Sequence, residues 1–344
     1  MCKRLVFIKE EENVKGKILG LLFVMAMVVV MLSGCGTKEE RERVIEEKTG
    51  DVNGDGKIIV GYISKNILDP FHAPINGFAA ETLEAMIIDG IIDEWTGVLD
   101  GATDGNVQKE HATDCILKGC DYVIILPAEA ESSDAAVVKM HEAGINVIVV
   151  NSKTDSSDEL AFGYVGSDDY RAGEMLAEWV VERCPEGGKY VHCQGVIGNS
   201  AQIARGNGID AVMSKHPEFQ KINDFACEWQ ADKAANVASD MMKQYDEELV
   251  AIICDNDDMS SAAQKMCNEA GRSDIVCIGV DGEQSKLQMI KDGEMSATIY
   301  QDSLAQIGGA IEMIKTCLAG EEPQKEIAIP FVLVTAENVD EYLK

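Results

Sequence analysis

The stretch Ile58-Ile-Val-Gly-Tyr-Ile63 is apolar at successive positions instead of alternating with polar ones. That pattern suits a strand buried on both faces, as in a parallel sheet. Runs of the same kind follow at Tyr122–Leu126, Val147–Val150, Tyr190–Cys193, Val250–Cys254, Ile275–Val280 and Ala297–Tyr300. Between them lie amphipathic helical stretches with readable ends. Leu117-Lys-Gly119 and Glu142-Ala-Gly144 place glycine where a helix needs a left-handed C-terminal residue. The segment 168–184 carries Leu176, Trp179 and Val180 on one stripe. Strand–helix alternation predicts an α/β fold with helices on both faces of parallel sheets. The body from residue 57 onward is long enough for two such units.

Upstream, Lys3, Arg4, Lys9, Lys15 and Lys17 precede an apolar run that starts at Ile18 and closes on Leu32-Ser-Gly-Cys35. A basic region, a short apolar region and small residues before a cut are the layout of a secretory signal peptide. Leu-Ser-Gly-Cys resembles the lipobox of bacterial lipoproteins, which implies cleavage after residue 34 and a diacylglycerol on Cys35. The protein is then expected outside the cytoplasm, anchored to the cell membrane by that lipid. Residues 36–56 (GTKEERERVIEEKTGDVNGDG) are charged and poor in large apolar side chains, and read as a flexible tether.

The chain of 344 residues has a net charge of −30. Residues 1–34 hold five basic and three acidic side chains, so the remainder is near −32. Nucleic acid is excluded as a partner, because its phosphates require clustered Lys and Arg. Of the eleven cysteines, nine lie beyond residue 35; an odd number cannot all pair, and no CxxC spacing for zinc occurs. Cys193, Cys254 and Cys277 sit in or beside apolar runs and read as small buried hydrophobes.

Asp51-Val-Asn-Gly-Asp-Gly-Lys-Ile58 matches the first half of a calcium loop, but its twelfth position is Tyr62, which supplies no carboxylate. A turn-rich linker is the better reading, and no metal or other cofactor is expected. Gly206-Asn-Gly208-Ile-Asp-Ala211 fits G-x-G-x-x-A inside a helical pattern, where helix packing explains it better than a dinucleotide does. No nucleophile elbow, P-loop or H-E-x-x-H occurs, and the five histidines have no ligand spacing. An enzyme is therefore not expected.

Polar and aromatic residues instead gather after the strands. Asp69-Pro-Phe71-His72 follows the first, Asn151 the one ending at Val150, Asp255-Asn256 the one ending at Cys254, Asp281 the one ending at Val280, and Gln301 the one ending at Tyr300. Ligands of open α/β sheets bind outside the carboxyl ends of the strands. Carboxylates and carboxamides beside aromatic rings suit a polyhydroxylated ligand, since each hydroxyl both donates and accepts.

From Ile58 to Thr335 the chain resembles the extracytoplasmic sugar-binding proteins of ABC importers, of the ribose/galactose type. The stretches that carry the likeness are Asp69-Pro-Phe71, Gly163-Tyr-Val-Gly-Ser-Asp-Asp-Tyr-Arg-Ala-Gly173, Gln194–Gly208 (QGVIGNSAQIARGNG), Asp255-Asn-Asp-Asp-Met259 and Ile278-Gly-Val-Asp-Gly282. The resemblance implies two Rossmann-like lobes joined by a three-strand hinge, with the ligand in the cleft between them. Lobe 1 is then 57–166 plus 302–330, and lobe 2 is 167–301 plus 331–344. Carried over by position, the ligand contacts are Asp69, Phe71, His72, Asn151, Arg205, Trp229, Asn256, Asp281 and Gln301. Phe71 and Trp229 would sandwich the sugar ring, and Arg205 and Asp281 would face each other across the site. His72 departs from the second aromatic of ribose binders, and Asn199 and Ala201 stand where galactose binders have histidine and aspartate. The implied function is capture of a hexose or pentose by a monomeric, lipid-anchored protein and its delivery to ABC permease subunits. The alternative is a sensor that presents a sugar or furanosyl signal to a chemoreceptor or sensor kinase.

Overall fold

The computed structural model describes residues 48–344. The expected signal peptide, Cys35 and the first part of the tether lie outside that range. The first lobe opens with β1 (Ile59–Ser64), α1 (His72–Ile88), β2 (Glu94–Asp100), α2 (Gly105–Lys118) and β3 (Tyr122–Ile125). It continues through α3 (Asp134–Glu142), β4 (Asn146–Val150), α4 (Ser157–Leu160) and β5 (Gly163–Gly166). The second lobe holds α5 (Asp169–Arg183), β6 (Gly188–Gln194), α6 (Ser200–Met213), β7 (Phe219–Ala226), α7 (Ala231–Tyr245) and β8 (Leu249–Cys254). Next come α8 (Asp257–Glu269), β9 (Val276–Ile278), β10 (Val280–Asp281), α9 (Gln284–Lys291) and β11 (Ala297–Tyr300). The chain then returns to the first lobe as α10 (Ser303–Leu318) and β12 (Glu326–Ala328), and ends on the second as β13 (Val332–Thr335).

The first sheet has the order β12-β5-β4-β3-β1-β2 and every pairing is parallel. Val60, Tyr62, Ile124 and Ile148 enter the core on one face; Ile59, Ile63, Val123 and Val149 enter it on the other. Burial on both faces is the physical reason these runs lack alternation. The second sheet is β7-β6-β8-β9, parallel throughout, and leads at Gly279 into β10-β11-β13. β13 is antiparallel to β11. The run Ile275–Val280 is thus two strands. A Cβ on Gly279 would stand 2.4 Å from the carbonyl oxygen of Asn256, so the strand bends there around the start of α8.

The glycine-rich stretch Gly206–Ala211 lies within α6. A Cβ on Gly208 would meet the Tyr170 carbonyl oxygen at 2.1 Å, and one on Gly173 the Arg205 carbonyl oxygen at 2.0 Å. These glycines bring α5 and α6 backbone to backbone, as the packing reading requires. Gly119 and Gly144 take φ of +78° and +83° at the ends of α2 and α3. Cys193, Cys254 and Cys277 are fully buried, and among the described residues all nine cysteines are free.

One expectation needs correction. Residues 48–56 are not a loose tether but are pinned to the first lobe. Lys48 pairs with Asp93 at 2.7 Å. The amides of Val52 and Asn53 donate to Asp121 Oδ1, while Ile59 N donates to Asp121 Oδ2. Asp51, first residue of the calcium-like motif, accepts from Gly54 N and Gly56 N and closes its own turn. Composition marked the segment as polar, and here polar side chains serve as backbone caps.

Candidate ligand-binding cleft

The strand order reverses beside β1 and β3 in one sheet and beside β6 and β8 in the other, and the loops at those carboxyl ends face each other. The cleft between them is narrow, with about 30 Å³ of room for the centre of a water-sized sphere. All nine residues expected from the sequence line this one cleft: Asp69, Phe71, His72, Asn151, Arg205, Trp229, Asn256, Asp281 and Gln301. It is lined as well by Lys65, Ser152, Asn199 and Ala201.

The first-lobe wall is built on the loop after β1. Tyr62 Oη donates to Asn76 Oδ1 at 2.8 Å, and Asn76 Nδ2 donates to the Asn66 carbonyl oxygen at 3.0 Å. Asn66 Oδ1 in turn accepts from Leu68 N and Asp69 N. This chain of hydrogen bonds fixes the positions of Lys65 and Asp69. Asp69 Oδ1 accepts from Phe71 N at 2.8 Å and lies 3.2 Å from His72 Nδ1. Burial works against the Asp69 charge, but His72, Lys65 and the Phe71 amide outweigh it and hold its pKa below the usual carboxylate range. Burial keeps His72 below its ordinary value. On the far side, Asn151 Nδ2 donates to Gln306 Oε1 at 3.1 Å, and Gln306 Nε2 donates to Ser167 Oγ at 2.9 Å. That line runs from the cleft to the segment between β5 and α5.

The second-lobe wall centres on Arg205, from α6. Its guanidinium bonds Asp169 Oδ1 through Nε at 2.9 Å and Nη2 at 2.8 Å, and also reaches the Asp255 carbonyl oxygen and, at 3.4 Å, Gln301 Oε1. The ion-pair partner is therefore Asp169 at the start of α5, not Asp281. Gly173 and Gly208 let α5 and α6 approach closely enough for this pair. Burial opposes the Arg205 charge, while Asp169, Asp281 and Asp255 together raise its pKa. Asp281 is pushed well above the carboxylate range, first by burial and then by Glu283.

Beneath the floor, His192 bridges two carboxylates, with Nδ1 3.0 Å from Asp224 and Nε2 2.8 Å from Asp255. Asp255 Oδ2 also accepts from Gly195 N at 2.8 Å. A Cβ on Gly195 would stand 2.1 Å from the Trp229 ring, so only glycine lets the indole lie there. Trp229 and Glu228 take φ of +64° and +55°, Asn151 +70° and Asp281 +137°. Strained backbone of this kind concentrates at ligand sites.

Lys65 carries no polar signal that strand-end composition would separate from a surface lysine, yet it is only 5% exposed. Its Nζ stands 5.0 Å from the Trp229 ring across the cleft. Burial lowers its pKa, with Arg205 acting in the same direction against Asp69 and Asp281. Four buried cleft atoms make no hydrogen bond within the described residues: His72 Nδ1 and Nε2, Trp229 Nε1 and Gln301 Nε2.

Two α/β lobes with a polar, partly unsatisfied cleft at the facing strand ends define a cleft-binding protein. Residues 60–322 match the Periplasmic binding protein domain, and the chain belongs to that family. The family is one of binding proteins, not enzymes, and acts outside the cytoplasm. The chain is 28% identical over 237 residues to the xylitol-binding protein of Mycolicibacterium smegmatis, covering 69% of this chain and 67% of that one. It is 23% identical to the ribose import binding protein RbsB of Salmonella typhimurium, covering 83% and 93%. Among solved structures, an ABC transporter solute-binding protein of Bacillus halodurans with bound myo-inositol superposes with a TM-score of 0.76. There the identity is 23%, over 83% of this chain and 97% of that one.

Proposed function

We propose that the cleft binds a single monosaccharide, a hexose or a pentose, and that the protein delivers it to an ABC permease. The observation that carries this reading is the unmet polar chemistry of a narrow cleft. Trp229 Nε1, Gln301 Nε2 and His72 Nε2 have no protein partner, and the Asp281 carboxyl group lines the same cleft. Buried polar groups seek partners, and a sugar offers donors and acceptors around a compact ring. A relative named for ribose supports the same class, and one named for the polyol xylitol supports a polyhydroxylated ligand of that size.

Asp69, Phe71, His72 and Asn151 from one lobe, and Arg205, Trp229, Asn256, Asp281 and Gln301 from the other, are the proposed contacts. Arg205 acts chiefly through Asp169 and Gln301, which it orients. The lobes 57–166 plus 302–330 and 167–301 plus 331–344 are the proposed moving bodies. They hinge at 167–168, 301–302 and 329–331, a domain closure of the hinge type. The protein works as a monomer tethered through a lipid on Cys35.

A thermal-shift panel of pentoses, hexoses and polyols tests the proposal. A ligand at 100 times its Kd stabilises a protein by about 2.7 kcal/mol, which reads as a rise of several degrees in Tm. One or a few related monosaccharides should give that rise. No shift from any of them at millimolar concentration would contradict the proposal.

A further inference from the structure

We infer that Asn199 is a clasp that holds the two lobes together without touching the ligand, and so sets affinity for every ligand by the same factor. The inference deepens the cleft reading above and rests on its hinge.

Asn199 stands at the first turn of α6 and is fully buried. Its Oδ1 accepts from Ala201 N at 3.0 Å and Gln202 N at 3.4 Å. Its Nδ2 donates across the cleft to the Ala128 carbonyl oxygen at 2.9 Å and to Ser152 Oγ at 3.3 Å. A carboxamide has two N–H donors and one acceptor oxygen with two lone pairs. All of them are engaged, so nothing remains for a ligand, although the residue lines the cleft.

The neighbours on either side do the same. The Gly198 carbonyl oxygen accepts from Ala130 N at 2.9 Å, and Ser200 Oγ accepts from Lys153 N at 2.7 Å. Three consecutive residues of the second lobe therefore bond to the first. Their partners are held firmly. Ser133 Oγ accepts from Ala128 N and Glu129 N, and Gln108 Oε1 also accepts from Ala128 N. These cross-lobe bonds exist only when the lobes meet. In an open form the same groups are hydrated, so each bond contributes modestly to closure. The apparent affinity of a binding protein scales with the fraction in the competent state. The clasp raises that fraction before any ligand arrives.

The test uses Asn199→Asp, which keeps the Oδ1 that caps α6 and removes the Nδ2 donor, with Ser200→Ala as an independent second variant. Small-angle scattering of the ligand-free protein reports the spread of the lobes, and calorimetry reports affinity for each sugar that binds. Asn199→Asp should enlarge the radius of gyration of the free protein. It should weaken all ligands by one common factor, about 5- to 150-fold for the two lost bonds, with Ser200→Ala smaller in the same direction. An unchanged free protein overturns the clasp, as does a loss of affinity that re-orders the ligands, which would make Asn199 a direct contact. If no sugar binds but Asn199→Asp still opens the free protein, the sugar reading fails and the clasp stands.

Discussion

Trp229 is held in an unfavourable backbone region, φ +64°, with its ring against Gly195 and the Lys65 ammonium 5.0 Å away. An indole so placed offers a rigid apolar contact with a polar edge. Trp229→Ala should weaken sugar binding by about 2–4 kcal/mol, the range of a hot-spot truncation, with the fold retained. Trp229→Phe should remove most of the fluorescence change on binding, which titration of both proteins will show; the other two tryptophans do not line the cleft. Trp95 bonds Glu84 through Nε1, and Trp179 packs on the second-lobe core. Lys65 separates site from scaffold in another way. It is a buried ammonium with no carboxylate within 4 Å among the described residues, and an unpaired buried charge costs stability. Lys65→Met should therefore raise the Tm of the free protein by a few degrees and weaken sugar binding about tenfold. A lower Tm for Lys65→Met, measured without ligand, would show that Lys65 supports the fold.

At the scale of elements, β6 and β8 are joined below the cleft by His192 between Asp224 and Asp255. Burial disfavours the imidazolium, but the two carboxylates outweigh it and bring its pKa to about 9. A histidine raised above its unfolded value of about 6.5 contributes stability that is complete below that pH and lost as pH rises through about 9. The full contribution is about 3 kcal/mol. Urea unfolding of the wild type should weaken across that window, and His192→Gln should show a shallower slope. The α5–α6 contact carries a second prediction. Gly173→Ala would push a methyl group against the Arg205 backbone; it should cost about 1–3 kcal/mol and loosen the Arg205–Asp169 pair, measurable as lower Tm together with weaker sugar binding.

All seven apolar runs of the sequence fall on strands, because strands buried on both faces advertise themselves by composition alone. The strands left unread are β2, β5, β7, β12 and β13. β2 and β7 are edge strands, half-exposed, and Phe219–Ala226 (FQKINDFA) mixes Lys and Asp with its apolar residues accordingly. β12 and β13 are short and only partly buried, so burial on both faces does not mark them. The same logic holds in the cleft: Asp, Asn and Gln after strands signal a ligand site, whereas Lys65 and the Asp169 partner of Arg205 depend on which loops and helices meet in space.

For the molecule as a whole, two lobes joined by three crossings bring the carboxyl ends of seven strands onto a single cleft. The cleft carries its own ionisable groups, Lys65 and Arg205 beside Asp69, Asp169 and Asp281. The most direct measurement of the central claim is a calorimetric titration of the purified protein, and of Asp281→Ala, with the sugar that stabilises it most. The account predicts one monosaccharide per protein chain and at least a hundredfold weaker binding for Asp281→Ala, about 2.7 kcal/mol, as expected when a charge-capable hydrogen-bond partner is lost from a closed site. Equal affinity of the two proteins, or a stoichiometry other than one, would contradict it.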